Sequence, residues 1–306
     1  MTRPDPHHVK RITCVGAGAI GGGWAAYFLA HGIDVVATDP GPDAEARLAH
    51  IIDVAWPSLE KIGLAPGARR DRLRFTTDLE DAVADAEFIQ ESALDDEDLK
   101  IALFARIDAA ATDDVVIASS SSHFLPSRIA SKCRHPERCI VGHPFAPSYL
   151  LPLVEVVGGE RTDDAVLDWS MAFYTAIGKR AVRLKKEIES YISNRLQMVV
   201  LREIHELVEA GICDYRDADE ALVYGPGLRW AFAGPLACWN MAGGQGGIRG
   251  SIAHWGWHGP EGLDQVATDE VDAMSGHLTM DEIHAWRDDN LMTLLEGLKP
   301  LPPAQR

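Results

Sequence analysis

The sequence has no long apolar run, and this absence argues against a membrane protein. No stretch approaches the roughly 18 consecutive apolar residues that a helix needs to cross a bilayer. The first ten residues carry Pro, Asp and His in place of the apolar segment of a secretory signal peptide. Internal repeats and low-complexity segments are also missing. We therefore expect a globular protein located in the cytoplasm, with no membrane as partner.

Cysteine is scarce and shows no paired spacing. The chain has 5 cysteines, an odd number, and none of them forms a C-x-x-C pair. This pattern predicts neither a disulfide framework nor a zinc ribbon. It is typical of a protein that stays in a reducing compartment, and we expect no metal site.

Positive charge is in short supply as well. The 29 Lys and Arg residues stand against 46 Asp and Glu residues, so the formal net charge is −17 at pH 7. A surface of this sign repels nucleic-acid phosphates and anionic lipid headgroups, so nucleic acid is not expected as a partner. We expect a small-molecule ligand, and local hydrogen-bond donors must hold any anionic part of it. The acidic stretch of residues 78–98 is expected to be a solvated surface.

The 306 residues are enough for about two domains at roughly 150 residues each. Up to about Lys186, short β-rich runs alternate with helical spacing, which predicts a parallel sheet with crossover helices. Beyond that point the spacing is helical only, including residues 230–257 and 280–298. The sequence therefore predicts an α/β sheet domain, residues 1–187, followed by an all-helical domain, residues 188–306. The predicted strands cover residues 11–15, 34–38, 87–90, 114–118, 138–142, 151–157 and 180–184.

A glycine-rich turn follows the first predicted strand and opens the first predicted helix. Gly16, Gly18 and Gly21 have the G-x-G-x-x-G spacing of a turn in which backbone N–H groups can hold a pyrophosphate. Asp39 ends the second predicted strand, where its carboxylate can accept hydrogen bonds from ribose hydroxyls and would repel a 2′-phosphate. The pattern predicts a Rossmann-type doubly wound sheet that binds NAD in preference to NADP.

Several polar side chains stand at or near the ends of later predicted elements. Ser122 and His143 each follow a strand, Glu155 lies in an otherwise apolar strand, and Asn194 opens a long helix. Oxidation of a secondary alcohol needs a base for the hydroxyl proton, and an unperturbed histidine, with a pKa of about 6.5, suits that task. A carboxylate such as Glu155 on the second ring nitrogen would fix the tautomer.

Six motifs, in order between residues 16 and 195, resemble those of the 3-hydroxyacyl-CoA dehydrogenase superfamily. The resemblance implies that His143 is the general base and Glu155 its orienting partner. It also implies that Ser122 and Asn194 bind the reacting oxygen. The motifs are Gly16–Gly21, Phe88–Ser92, Ser120–Ser122, His143–Pro147, Val154–Glu155 and Asn194–Arg195.

The same resemblance implies a cofactor site and a homodimer formed through the helical domain. Two departures from the family pattern flank the expected site. Ala146 stands where the family usually has Asn, and Glu189-Ser190-Tyr191 stands where it usually has Pro-Gly-Phe. The cofactor-binding residues implied are Gly16, Gly18, Ala19, Ile20, Gly21, Asp39 and Glu91.

Within the superfamily, the stretch Gly225–Pro235 resembles the branch that oxidises free 3-hydroxy acids. The nearer likeness is to its carnitine-oxidising members, through residues 135–143, 149–161 and 228–230. The remaining alternatives are oxidation of L-gulonate, oxidation of a 3-hydroxyacyl-CoA, and a non-catalytic crystallin-like protein on the same fold.

Carnitine would place two charged ends in the site. Arg229 can offer a fork of donors to the carboxylate, and aromatic faces such as Trp230 and Phe232 can bind the trimethylammonium group by cation–π attraction. These two residues belong to a group of aromatics in the helical part of the sequence. The group is Tyr224, Trp230, Phe232, Trp239, Trp255 and Trp257.

Overall fold

The computed structural model describes residues 3–255 and 278–297. Backbone contacts divide the chain into two compact units, Met1–Met198 and Val199–Arg306. The first unit contains a sheet with helices, and the second is helical wherever it is described. In the described ranges, no helix combines the length and apolar character that a bilayer crossing requires.

The first unit alternates strands and helices, as the sequence spacing predicts. Its strands are β1 (Arg11–Val15), β2 (Asp34–Thr38), β3 (Leu73–Thr76), β4 (Phe88–Glu91), β5 (Val116–Ser119), β6 (Cys139–Pro144), β7 (Leu153–Gly158) and β8 (Arg180–Arg183). Its helices are α1 (Ala19–Ala30), α2 (Ala44–Ile62), α3 (Leu79–Val83), α4 (Glu97–Ala110), α5 (Pro126–Ile129) and α6 (Asp164–Ala176). The sequence spacing predicts helices through residue 30 and around residues 43–59 and 95–110, which correspond to α1, α2 and α4; strand β3 and the helices α3, α5 and α6 were missed.

The eight strands form one sheet in the order β3-β2-β1-β4-β5-β6-β7-β8. Strands β1 to β6 run parallel, so their carboxyl ends meet at one edge, and β1 lies between β2 and β4. After β3 the chain crosses from the side of β1 that carries β2 to the opposite side, where it forms β4. Such a reversal in strand order is where doubly wound sheets bind ligands.

The sheet is parallel as predicted except at one pair, because β7 runs antiparallel to β6. Only residues 145–152 separate the two strands. A parallel connection needs about a dozen or more residues to cross over, so a loop of this length can only reverse the chain. The reversal sets His143 directly opposite Glu155 in the strand register.

Both faces of the sheet are covered, which explains why the strands are apolar almost throughout. Ile12 and Cys14 of β1 point into a core with α1, α2 and α6, while Val15 points into a second core on the opposite face. Trp24 and Phe28 stack at a centroid distance of 5.2 Å inside the first core. Burial of each such large side chain contributes roughly 1.5–3 kcal/mol to folding.

The long helix α7 (Ser193–Glu209) contains the boundary between the two units. The second unit continues with α8 (Tyr215–Leu222), where the Asp214 side chain caps the helix by accepting from the backbone N–H of Asp217 at 2.9 Å. The remaining helices are α9 (Leu228–Trp230), α10 (Pro235–Ala242), α11 (Gly247–Trp255) and α12 (Met280–Gly297).

The stretch predicted to be helical over residues 230–257 is divided into separate helices, because glycines interrupt it. Gly234 precedes α10, Gly244 lies between α10 and α11 with a φ angle of 54°, and Gly247 begins α11 with a φ angle of 55°. Trp257 and Leu298, which the predicted helices include, lie outside the described residues. The interruption leaves short helices around a small core of Ala233, Cys238, Met241 and Ile283.

Candidate active site

The turn between β1 and α1 has the close backbone approaches that its glycines were expected to allow. Gly16 has a φ angle of +100°, and a Cβ there would lie 2.6 Å from the carbonyl oxygen of Ser92. A Cβ on Gly21 would lie 2.0 Å from the carbonyl oxygen of Gly16. Around Gly18, by contrast, a Cβ would meet nothing within 4 Å. The turn is therefore packed tightly on its inner side and open at Gly18.

The amino end of α1 is left free to bind an anion. No side chain caps the helix at Gly18, and the first backbone N–H groups of any helix, here those of Ala19, Ile20 and Gly21, lack partners within it. Those groups and the helix dipole favour a phosphate at this position. The open space at Gly18 and the uncapped donors fit the pyrophosphate of a dinucleotide.

Asp39 is held next to this turn by backbone donors. Its two carboxylate oxygens accept from the N–H groups of Ala17 and Gly41, each at 2.8 Å, and Arg47 lies 3.9 Å away. It borders a cavity of about 550 Å³ that includes Gly16, Leu103 and Arg106 among its lining residues. An oxygen that accepts one hydrogen bond retains a lone pair, so Asp39 can accept further bonds from a ligand in this cavity.

Glu91 is buried and lines neither the cavity beside Asp39 nor the one beside His143. Its side chain is fully buried and accepts hydrogen bonds from Lys100 Nζ at 2.8 Å, Ser119 Oγ at 2.5 Å and the backbone N–H of Ala93 at 2.7 Å. A buried carboxylate with a buried lysine and two further donors is well satisfied. The arrangement supports the loop after β4, so any effect of Glu91 on a cofactor acts through that loop.

Lys100 is a residue that the sequence analysis missed. Its side chain is 1% exposed, yet it reaches the wall of the cavity next to His143. Lys100 follows directly after the acidic stretch of residues 78–98, which was expected to be solvated surface, and lies on the buried face of α4. The helical spacing from Lys100 to the buried Phe104 and Ile107 is the signal that indicates this face.

His143 and Glu155 form a buried pair across β6 and β7. His143 Nδ1 lies 2.9 Å from Glu155 Oε2, and the histidine is 4% exposed. His143 lies within β6, although the sequence analysis put it just after the strand. Because the carboxylate accepts the proton on Nδ1, the other ring nitrogen, Nε2, carries the free lone pair in the neutral ring. His143 also lines a cavity, so it can act as a base there.

Glu155 is held by the start of α7 as well as by His143. Oε1 accepts from the backbone N–H groups of Ile192 and Ser193 at 2.9 and 3.0 Å, and Oε2 also accepts from Ser193 Oγ at 2.7 Å. Burial works to raise the pKa of Glu155, but the hydrogen bonds from His143 and Ser193 outweigh it, and the pKa is lowered. Glu155 therefore stays ionised beside the imidazole.

Ser122 and Asn194 lie on the same cavity wall, although they are 72 residues apart in sequence. Asn194 Nδ2 donates to the backbone carbonyl of Ser122 at 3.0 Å, and Ser122 Oγ donates to Asp95 Oδ2 at 2.8 Å. Asp95 is another lining residue that the sequence analysis missed. The cavity has a volume of about 430 Å³. Its lining residues include Ile20, Asp95, Lys100, Ser122, His143, Ala146 and Asn194.

Tyr191 packs beside His143 and is not among the residues that line the cavity. Its ring centroid lies 5.2 Å from that of His143, it is fully buried, and its hydroxyl donates to the backbone carbonyl of Phe124 at 2.6 Å. Burial raises the pKa of Tyr191, so its hydroxyl stays protonated. Ser190 and Tyr191 both have positive φ angles, 64° and 51°. This is the segment in which the sequence departs from the family's Pro-Gly-Phe.

Arg229, Trp230 and Phe232 lie in the second unit. The side chains of Arg229 and Trp230 are exposed, and the ring of Phe232 packs edge-on against Trp286 at a centroid distance of 5.3 Å. Phe232 therefore belongs to the surroundings of that unit's core. Within the described ranges, no group of three or more His, Cys, Asp or Glu side chains has the arrangement of a metal site.

A glycine turn with free helix donors, an aspartate at the end of the second strand and a buried His–Glu pair together define a nicotinamide-dependent dehydrogenase. Comparison with known protein families supports this class of enzyme. The model of the 3-hydroxyacyl-CoA dehydrogenase NAD binding domain matches residues 11–188, and that of the C-terminal domain matches residues 191–280. The chain belongs to the 3-hydroxyacyl-CoA dehydrogenase family.

Similar proteins extend over most of the chain. An L-carnitine dehydrogenase from Streptomyces coelicolor is 48% identical over 268 residues, which are 88% of this chain and 84% of that protein. One from Pseudomonas putida is 44% identical over 303 residues, covering 95% and 94% of the two chains. Among solved structures, FHMPC 5-dehydrogenase, an NAD⁺-dependent dismutase, aligns with a TM-score of 0.74 at 28% identity, covering 95% of this chain and 97% of that one.

Proposed function

We propose that this protein oxidises L-carnitine to 3-dehydrocarnitine with NAD as the electron acceptor. The observation that carries the proposal is the buried pair of His143 and Glu155 on the cavity next to the glycine turn. The choice of substrate is supported by relatives in several bacteria that are 42–48% identical and are named L-carnitine dehydrogenases.

In the proposed mechanism His143 is the base. Its Nε2 accepts the proton of the 3-hydroxyl group while the hydrogen on C3 leaves with its electron pair. Bound NAD supplies the acceptor for that hydride at its nicotinamide ring. The substrate thereby loses two electrons and two hydrogens and becomes a ketone. Glu155 keeps the imidazole in the Nδ1–H tautomer and stabilises the imidazolium that forms.

Ser122 and Asn194 are proposed to hold the reacting oxygen. Both border the cavity. Asn194 has a second N–H besides the one that it donates to the Ser122 carbonyl, and the Ser122 hydroxyl can turn from Asp95 to donate to an oxygen that gains negative charge as its proton leaves. Asp39 is proposed to accept hydrogen bonds from ribose hydroxyls. Glu91 is proposed to act indirectly, by holding Lys100 and the loop after β4. The pyrophosphate is assigned to the backbone of Gly16, Gly18, Ala19, Ile20 and Gly21.

We assign cofactor binding to residues 1–187 and substrate binding and dimerisation to residues 188–306. Arg229 is proposed for the carnitine carboxylate, and Trp230 and Phe232 for the trimethylammonium end. The exposed side chains of Arg229 and Trp230 support this assignment, because both can still take a ligand. A homodimer is supported by apolar side chains that α7 leaves exposed, such as Val199 at 58%.

A free hydroxy acid fits the charge of the site better than a CoA thioester does. Lys100 is the one Lys or Arg on the described wall of the His143 cavity, and it is buried and paired with Glu91. CoA carries several phosphate charges, and the chain carries a net charge of −17. All five cysteines are free, which supports a location in the reducing cytoplasm.

The direct test is NAD reduction with four substrates in parallel: L-carnitine, D-carnitine, L-gulonate and 3-hydroxybutyryl-CoA. We expect the largest kcat/KM with L-carnitine. Turnover of the CoA thioester alone would overturn the free-acid assignment, and turnover of L-gulonate alone would replace carnitine as the substrate. NAD binding without turnover of any of the four would indicate a non-catalytic protein.

A further inference from the structure

Lys179 is a buried cation that none of the steps above uses. It lies between α6 and β8, is 3% exposed, and has no ion-pair partner in the part of the chain that the structure describes. Its Nζ lies 4.9 Å from the centroid of the Trp24 ring and 3.8 Å from that of Tyr27. The two aromatic faces offset part of the cost of burying the ammonium group without a carboxylate.

The hydrogen bonds of Lys179 go to the loop that joins β6 to β7, residues 145–152. Its Nζ donates to the backbone carbonyls of Ser148 and Leu151 at 2.5 and 3.0 Å. This loop begins two residues after His143 and ends three residues before Glu155. One lysine thus fixes the middle and the end of the connection between the two members of the buried pair.

The same loop is attached to α1 on its other side. Ser148 Oγ donates to the backbone carbonyl of Ile20 at 3.1 Å, in the first turn of the helix. A Cβ on Gly23 would lie only 2.3 Å from Ser148 Oγ, so the loop lies directly on the helix surface at this glycine. Ile20 also lines the His143 cavity. The loop therefore connects the base to the helix whose amino end forms the dinucleotide turn.

We propose that Lys179 and Ser148 are positioning residues for the dehydrogenase reaction. Together they hold loop 145–152 against α1 and so fix His143 relative to the glycine turn. The inference rests on the proposed function, because the position of His143 matters only if it is the base. The protein must hold the base, the substrate and the nicotinamide in the right relative positions for proton and hydride transfer. A displacement of one of them by about 1 Å can lower the rate on the order of 100-fold.

The test compares Lys179→Met and Ser148→Ala with Lys185→Met, which removes an exposed lysine. We expect Lys179→Met to lower kcat by about 10- to 100-fold while the Kd for NAD changes by less than about 3-fold. Ser148→Ala should act in the same direction with a smaller loss. Lys185→Met should match the wild type.

Two further readouts separate positioning from a general loss of structure. With L-carnitine deuterated at C3, the isotope effect on kcat should rise in Lys179→Met, because misalignment makes hydride transfer rate-limiting. Hydrogen–deuterium exchange should become faster at residues 148–151 while the strands keep their protection. A folded Lys179→Met protein with wild-type kcat and isotope effect would overturn the proposal.

A third variant approaches the same contact from the helix. Gly23→Ala adds the Cβ that would meet Ser148 Oγ, so it should displace the loop and raise the isotope effect as well. If Lys179→Met does not fold, the test rests on Ser148→Ala and Gly23→Ala. An isotope effect on kcat that is raised in both variants supports the proposal, and a wild-type isotope effect in both overturns it. If the wild type does not oxidise L-carnitine, the proposed function fails first and the positioning role fails with it.

Discussion

Glu155 accepts four hydrogen bonds while it is 1% exposed. Two of them come from backbone N–H groups at the start of α7, where the helix dipole also favours a negative charge. The carboxylate is thus held in place independently of the protonation state of His143. This arrangement lets Glu155 stabilise an imidazolium without moving when the proton arrives on Nε2.

Lys179 gives a pH dependence of stability whose sign follows from its burial. Burial lowers the pKa of Lys179 to about 7, against about 10.4 in an unfolded chain. The unfolded state therefore binds more protons than the folded state between these values, and this lysine destabilises the fold most below pH 7. We expect the free energy of unfolding of the wild type, relative to Lys179→Met, to rise from pH 7 to 9 by at most about 1.4 kcal/mol per pH unit.

Urea unfolding of both proteins across this pH range measures that difference. Cys14 and Tyr174, whose pKa values are raised by burial, are present in both proteins, so their effects cancel in the comparison. Two groups interact with Lys179 itself but change protonation outside this pH range: burial raises the pKa of Tyr27 to about 12, and burial together with the charge of Lys179 lowers the pKa of His31. A difference that stays constant or falls with pH would contradict a lowered pKa for Lys179.

Residue chemistry and the family resemblance together indicated His143, Glu155, Ser122 and Asn194 as site residues. In the structure Ser122, His143 and Asn194 line one cavity, and Glu155 contacts His143 without lining it. Asp95 could not be identified in the same way. It lies in a run of acidic residues whose simplest interpretation is solvated surface, and only the ends of β4 and β5 in the folded sheet bring it next to Ser122.

At the scale of elements, the eight-residue loop between β6 and β7 decides the local topology. The two strands were predicted, but as members of a parallel sheet, because apolar runs of this kind occur in parallel and antiparallel sheets alike. Loop length was the signal that could have corrected the prediction. Strand β3 was missed for another reason: it has four residues at the edge of the sheet, and none of them is fully buried.

The segment before α7 stores strain at Ser190. Its φ angle of 64° lies in the left-handed region, which costs a non-glycine residue about 1–2 kcal/mol. Glycine removes that cost but loses about 0.4–1 kcal/mol through the greater entropy of the unfolded chain. We therefore expect Ser190→Gly to raise the free energy of unfolding by about 0.5–1 kcal/mol in urea denaturation.

Ser131→Gly is the matched control, because Ser131 follows α5 on the surface and is not among the residues with positive φ. Glycine there should lower stability slightly. Equal changes in the two variants would show that the left-handed backbone at Ser190 is not strained.

At the scale of the whole molecule, the net charge of −17 gives a negative electrostatic potential against which every local site must bind its ligand. The glycine turn and the amino end of α1 provide local donors for an anion despite that field. The helical part is different, because it leaves large apolar side chains exposed, including Val199 at 58% and Leu201 at 56%. Apolar surface of this kind is typical of a subunit interface.

If the homodimer forms through this surface, light scattering after size exclusion should give twice the mass of the chain. Val199→Glu should shift the protein toward the monomer, because it places a charge on the exposed face of α7. Val54→Glu makes the same substitution at a similarly exposed position of α2, 57% exposed, and should leave the dimer intact. A monomeric wild type would contradict the homodimer.

The central claim is that His143, held by Glu155, takes the hydroxyl proton during oxidation of L-carnitine. The measurement that tests it most directly is NADH formation from L-carnitine by the wild type and by His143→Gln, with NAD affinity measured in both. We predict turnover by the wild type, a loss of at least about 100-fold in kcat for His143→Gln, and equal affinity for NAD. Comparable kcat values in the two proteins would contradict the account.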